Sequence, residues 1–167
     1  MSGIQIKIVI DTNIIFMAWH NPLGKCAQVL RKSREGKLKL FSPISVKEEI
    51  TRLFHDEGLR DEKIEEFLED FSIYWVEREL YEHFLEETTV KHKADKPLEA
   101  VALLLNCDIL SADEHFKNVK QKINIDELLK NLEIENQWRE IQKFEKRNID
   151  SEDEVDEDNN KDNSKEK

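Results

Sequence analysis

The stretch Ile4-Gln5-Ile6-Lys7-Ile8-Val9-Ile10-Asp11-Thr12-Asn13 decides the fold. It begins by alternating Ile with Gln and Lys and then becomes the unbroken run Ile8-Val9-Ile10, the pattern of a β-branched strand whose far end is buried on both faces. The strand stops at Asp11. From Thr12 the residues Asn13, Ile14, Ile15, Phe16, Met17, Ala18 and Trp19 read as a helix.

Moving outward, the same alternation of strand and helix recurs. Pro22 to Gly36 predicts a second helix with Cys26, Ala27, Val29 and Leu30 inward and Gly36 at its end. Lys37 to Phe41 is a short strand, and Ser42-Pro43 opens a helix carrying Val46, Glu49, Ile50 and Leu53 that Gly58 ends. Asp61 opens a helix whose Ile64, Phe67, Leu68 and Phe71 share one face, and Ser72 to Val76 is a strand. After a helical stretch around Leu80 to Leu85, Pro97 starts the nearly all-apolar helix Ala100-Val101-Ala102-Leu103-Leu104-Leu105, which belongs at the centre of the fold. Cys107 to Ser111 is a strand, and a weaker one near Ile123 precedes a helix from Asp126 to Leu132. Ile134, Trp138 and Ile141 mark one stripe of a last, separate helix. Trp75 and Trp138 read as core. This order indicates a three-layer α/β/α domain with a mainly parallel central sheet.

Composition narrows the function classes. The 167 residues carry 37 acids against 26 Lys plus Arg, a net charge of −11, so any contact with nucleic acid must be local rather than global. Four glycines form neither GxGxxG nor GxxxxGK[ST], which excludes nucleotide binding through those loops. Cys26 and Cys107 make no CxxC pair, which excludes a disulfide framework and a zinc ribbon. No apolar run approaches the roughly 18 residues that cross a bilayer and the first residues lack a signal-peptide pattern, so a cytoplasmic protein without a membrane partner is expected. One domain is expected over residues 1–149, including the C-terminal helices. Residues 150–167 are expected to form an acidic disordered tail, because from Ser151 onward the chain has eight acids, three lysines and the single apolar residue Val155.

Reactive groups in parallel sheets gather at the carboxyl ends of strands. Asp11 follows the first strand directly, and Asp113 follows the Cys107 to Ser111 strand after one residue, so both leave the sheet on the same side. Asp95 lies just before the central helix and Glu49 about one turn into the helix after the second strand, and helix N-termini face strand C-termini. Four acids can therefore converge. Four carboxylates that close repel one another unless a cation or shared proton neutralises them, and hard oxygen ligands suit Mg²⁺ or Mn²⁺. Simpler roles stand beside this one: Asp11 as a strand terminator, and Asp95 and Asp113 as helix N-caps. Glu49 competes with its neighbour Glu48, and the helical phase shared with Val46, Ile50 and Leu53 favours Glu49.

Asp11-Thr12-Asn13 after a hydrophobic strand, Glu49-Ile50 in the next helix, Asp95 opening a helix with Ala102, and Ser111-Ala112-Asp113 after a strand resemble the PIN-domain nucleases over roughly residues 4–132. The resemblance implies a metal-dependent ribonuclease, with catalytic metal ligands at Asp11, Glu49, Asp95 and Asp113 and polar support from Asn13 and Ser111. It implies Mg²⁺ or Mn²⁺ as cofactor, single-stranded RNA as substrate and products with a 5′-phosphate and a 3′-hydroxyl. Many such nucleases are the VapC-type toxins of toxin–antitoxin pairs, which implies an antitoxin partner. The segment from Asp56 to Val90, with an extra helix, and the acidic tail depart from the compact toxins. Lys91, Lys93 and Lys96 beside Asp95 are candidate phosphate contacts, and Trp19 is a candidate base-stacking group that reads equally well as core. The apolar stripes at Ile64 to Phe71 and Ile134 to Ile141 suggest a homodimer or a docking groove. The competing reading from another class is a non-catalytic PIN-like module that binds protein or RNA. A haloacid-dehalogenase-type enzyme needs a second acid where Asn13 stands, and a receiver domain needs an adjacent acid pair that Asp11-Thr12 lacks.

Overall fold

The computed structural model describes residues 5–159, which cluster into two units divided between Leu132 and Glu133. In the first unit the chain runs β1 (Ile6–Ile10), α1 (Thr12–His20), α2 (Lys25–Arg34), β2 (Leu38–Pro43), α3 (Ile44–Asp56), α4 (Asp61–Glu69) and β3 (Ile73–Val76). It continues through α5 (Arg78–Tyr81), 3₁₀ turns at Glu82–Glu87 and Lys93–Asp95, α6 (Lys96–Leu105), β4 (Asp108–Leu110), a 3₁₀ turn at Glu114–Phe116 and β5 (Lys122–Ile123). The strands form one sheet in the order β3-β2-β1-β4-β5, and every pairing is parallel.

That order follows from connection rules. The chain steps outward from β1 to β2 to β3, then returns to β1's other side to lay down β4 and β5. Right-handed crossovers carry the helices between β1 and β3 over one face and those of the return over the other. The contacts agree: α1 meets α2 and α3, and α3 meets α4, while α6 covers β1 and β2 and touches α5. The fold is the expected three-layer α/β/α arrangement, with the sheet wholly parallel. Ile8, Val9 and Ile10 are fully buried between the layers, as are Ala100, Val101 and Ala102 of α6.

Gly36 and Gly58 end α2 and α3 with φ of 75° and 85°, where a side chain would be strained. Asn106 ends α6 in the same left-handed region, at φ 49°. Replacing it with Ala is expected to cost about 1 kcal/mol and replacing it with Gly to cost nothing, read as thermal unfolding midpoints.

The C-terminal region differs from the sequence reading. The two helices expected after β5 are one continuous helix, α7 (Ile125–Asn159), because no Gly or Pro interrupts the chain there. Its first turns bury Leu128 and Leu132 in the first unit. The helix runs past residue 149, where the sequence reading placed the start of a disordered tail, and residues 160–167 lie outside the described residues. Trp138, read as core, is 59% exposed, together with Ile134, Ile141 and Phe144. Trp75 is partly buried against the core as expected. The Ile64 to Phe71 stripe is used internally, with Ile64 and Leu68 buried and Phe67 edge-on to Phe54. Among the described residues no helix is long and apolar enough to cross a membrane.

Candidate active site

β1 and β4 are adjacent strands whose following connections diverge, so a crevice opens at their carboxyl ends. The cleft there has a volume of about 690 Å³, and Asp11, Glu49, Asp95 and Asp113 all line it. The four acids expected from the sequence reach the cleft from four different elements: the end of β1, the second turn of α3, the start of α6 and the turn after β4.

Asp11 leaves β1 with its backbone N–H bonded to the Leu110 carbonyl at 3.2 Å, which ties it to the end of β4. Its Oδ1 accepts from the Thr12 N–H at 2.7 Å, capping α1, and its Oδ2 accepts from Ser111 Oγ at 2.7 Å and Asn13 Nδ2 at 3.4 Å. The cap role and the cleft role thus coexist. Ser111 also accepts from the Asp113 N–H at 3.0 Å, and Asn13 Oδ1 accepts from the Ala112 N–H at 3.3 Å, so the two loops are stitched together. On the other side, Ser42 Oγ donates to the Ile10 carbonyl and holds β2 against the last residue of β1.

Glu49 enters from α3, where its Oε2 accepts from Thr12 Oγ1 at 2.9 Å. Glu48 also lines the cleft, and both glutamates are exposed, but Glu49 carries the bond to Thr12. Asp95 stands at the start of α6 yet makes no capping bond with its side chain. Instead its Oδ2 lies 2.8 Å from His115 Nδ1 and 3.6 Å from His92 Nδ1. Asp113 does cap the short turn after it, accepting from the His115 N–H at 2.9 Å, and its Oδ1 is 3.2 Å from His115 Nδ1.

Of the four acids Asp11 and Asp95 are buried, Asp113 is partly buried and Glu49 is exposed. Burial pushes the Asp11 carboxyl up from 3.8 to about 6; the bonds from Ser111 and Thr12 oppose this, and the nearby Asp95 and Glu49 charges reinforce it. The cysteines lie outside this chemistry: both are free, and burial raises each thiol, Cys107 to about 11.

Of the tentative RNA contacts, Lys91 and Lys93 are exposed and Lys96 is partly so, and none lines the cleft itself. Trp19 is directed elsewhere: it meets Phe54 edge-on at 5.2 Å between ring centres and packs against the core. His92, which the sequence places beside Asp95 among the lysines, lines the cleft, and Thr12 of the Asp11-Thr12-Asn13 motif orients Glu49. Two further lining groups lie outside the sequence candidates: His115, whose signal is its spacing two residues after Asp113, and Arg52, which has none without the fold.

A family model described as PIN domain matches residues 9–137 of this chain. No curated protein matches it. Among solved structures it is similar to a chain in the crystal structure of VapBC2 from Rickettsia felis bound to a DNA fragment from their promoter. The TM-score is 0.49 and the identity 14%, over 71% of this chain and 97% of that one.

Proposed function

The chain belongs to the PIN-domain family, and on that premise we propose that it is a metal-dependent endoribonuclease that hydrolyses phosphodiester bonds of single-stranded RNA. The observation that carries this reading is the convergence of Asp11, Glu49, Asp95 and Asp113 on one cleft, with the Asp11 carboxyl held at about 6 by burial and by its acidic neighbours. The Asp11 charge is disfavoured by burial and by Asp95 and Glu49, a cost that a divalent cation relieves, and the all-oxygen donor set of the four acids fits Mg²⁺ or Mn²⁺.

Those four carboxylates would hold the cation, which when bound supplies Lewis acidity toward a phosphate oxygen and toward water. The rest is done by the chain. Thr12 fixes the rotamer of Glu49, Ser111 and Asn13 fix that of Asp11, and the Asp11 backbone is anchored to β4. Lys91, Lys93 and Lys96 supply local positive charge for the substrate's phosphates that the net charge of −11 lacks. No nucleophilic side chain is required.

The test is cleavage of single-stranded RNA by the purified chain in Mg²⁺ or Mn²⁺ and in EDTA. Cleavage that EDTA abolishes, leaving 5′-phosphate ends, is expected; intact RNA under every cation would leave a binding module without catalysis. Thr12→Val keeps the shape of the side chain and removes its bond to Glu49. It is expected to weaken divalent-cation affinity by roughly 10-fold with the fold intact, measured by calorimetric titration.

The exposed stripe of Ile134, Trp138, Ile141 and Phe144 on α7 is assigned to association, with an antitoxin-type protein or with a second copy of the chain. Sedimentation separates the two: a dimer that Trp138→Glu dissolves is the second copy, and a monomer leaves the separate protein.

A further inference from the structure

The acids do not exhaust the donors in the cleft. His92, Asp95 and His115 present ligand atoms that all lie within 4.8 Å of one another. We propose that His92 Nδ1, His115 Nδ1 and Asp95 Oδ2 form an imidazole-bearing cation site that takes a first-row transition cation of the zinc type in preference to Mg²⁺. The site shares Asp95 with the acid set above, and it stands whether or not that set is catalytic.

The geometry is convergent. Both imidazoles turn the same nitrogen toward the same carboxylate oxygen, at 2.8 and 3.6 Å, and their rings stack with centres 4.7 Å apart and planes 13° from parallel. Ligands around a tetrahedral Zn²⁺ at about 2.0–2.1 Å stand roughly 3.3 Å from one another, within the spacing seen here. Asp113 Oδ1, 3.2 Å from His115 Nδ1, offers a fourth donor.

Each histidine hangs from pinned backbone. His115 sits in the turn anchored by the fully buried Phe116, and its own N–H is bound by Asp113. His92 follows Thr89-Val90, whose N–H groups bond the Glu99 carboxylate at 2.9–3.0 Å, with the Thr89 hydroxyl at 2.8 Å. Glu99 is 2% exposed, so this anchor is a fixed part of the core. Donors held this way before binding lose little freedom when an ion arrives. The donor chemistry sets the preference, because imidazole suits zinc-like cations whereas Mg²⁺ demands oxygen. The imidazole side chains are 60% and 48% exposed, so an ion can enter from solvent.

The test uses the untagged full chain and Co²⁺ as a spectroscopic probe, with Zn²⁺ and Mg²⁺ as competitors. One equivalent of Co²⁺ is expected to give visible d–d bands without a thiolate charge-transfer band. Zn²⁺ should displace it, and a large excess of Mg²⁺ should not. His92→Ala and His115→Ala should each weaken Co²⁺ binding about 10-fold or more. Asp11→Asn should leave it nearly unchanged. Parent-like Co²⁺ affinity in the folded double histidine variant, or ready displacement by Mg²⁺, overturns the proposal. RNA that stays intact under every cation would sink the nuclease reading alone, because the Co²⁺ spectra do not depend on turnover.

Discussion

Asp11→Asn is expected to abolish RNA cleavage and, in the same protein freed of metal, to raise its melting temperature. The two effects have one cause. The carboxylate is 6% exposed and its charge is disfavoured by burial and by Asp95 and Glu49, a cost that a bound cation relieves. Asn keeps the shape and can still accept the Thr12 N–H at the start of α1, but it carries no charge to offer a cation. Several kcal/mol of transition-state stabilisation depend on such a cation, so a loss on the order of a thousandfold is expected.

The stability change follows from linkage. Below the ordinary carboxyl value of 3.8 Asp11 is protonated in both the folded and the unfolded chain, and the substitution matters little. Between there and about 6 the folded protein keeps a proton that the unfolded chain has released, so its stability falls as pH rises. Above that range the full penalty applies, roughly 2–3 kcal/mol at 1.36 kcal/mol per pH unit. Thermal melts in EDTA should show the parent losing stability from about pH 4 to 6. The variant should lack that loss and melt several degrees higher at pH 7. Mg²⁺ should stabilise the parent and leave the variant unmoved. Parallel melting curves, or a variant that cuts RNA at the parent's rate, would contradict the assignment of Asp11.

Glu99→Ala is expected to be the most damaging substitution for the fold outside the apolar core. The carboxylate accepts from the N–H groups of Thr89 and Val90 and from the Thr89 hydroxyl, and Val90 is itself buried. Truncation strands a buried donor and opens a hole beside α6, while the exposed Thr89 can turn to water. The balance is a loss of about 2–4 kcal/mol, or roughly 10 °C in melting temperature for a domain of this size. Glu99→Gln retains one acceptor oxygen and should fall between. Because the same bonds hold the segment leading to His92, Co²⁺ affinity should drop in Glu99→Ala at temperatures where the protein is still folded. A melting point within 2 °C of the parent would show that Thr88 to Val90 is held by something other than Glu99.

Much of this was legible in the residues. Ile8-Val9-Ile10 and Ala100-Val101-Ala102 are apolar without alternation, and only elements covered on both sides tolerate that, so the central strand and central helix declare themselves. The convergence of Asp11, Glu49, Asp95 and Asp113 on one cleft was legible because Asp11 and Asp113 follow strands, Asp95 opens α6 and Glu49 lies in the second turn of α3, and a parallel sheet puts strand ends and helix starts on one side. The single helix α7 was not, because Asp126 to Leu132 and the stripe of Ile134, Trp138 and Ile141 read as two helices although no Gly or Pro between them stops one.

Tertiary structure alone decided the partners. His92 and His115 are separated along the chain and join only because β4 returns beside β1 and brings the turn after it against the start of α6. Glu99 looks like one more helix acid until the fold closes the Thr88 to Val90 segment over it. Trp19 faces Phe54 rather than the cleft for a reason no local pattern contains: α1 packs on α3, and that contact takes the ring. Periodicity records which face of an element is apolar, so it determines layers and strand ends. Which side chain meets which is set by crossover direction and by competition for space in the closed fold, and those act between segments far apart in sequence.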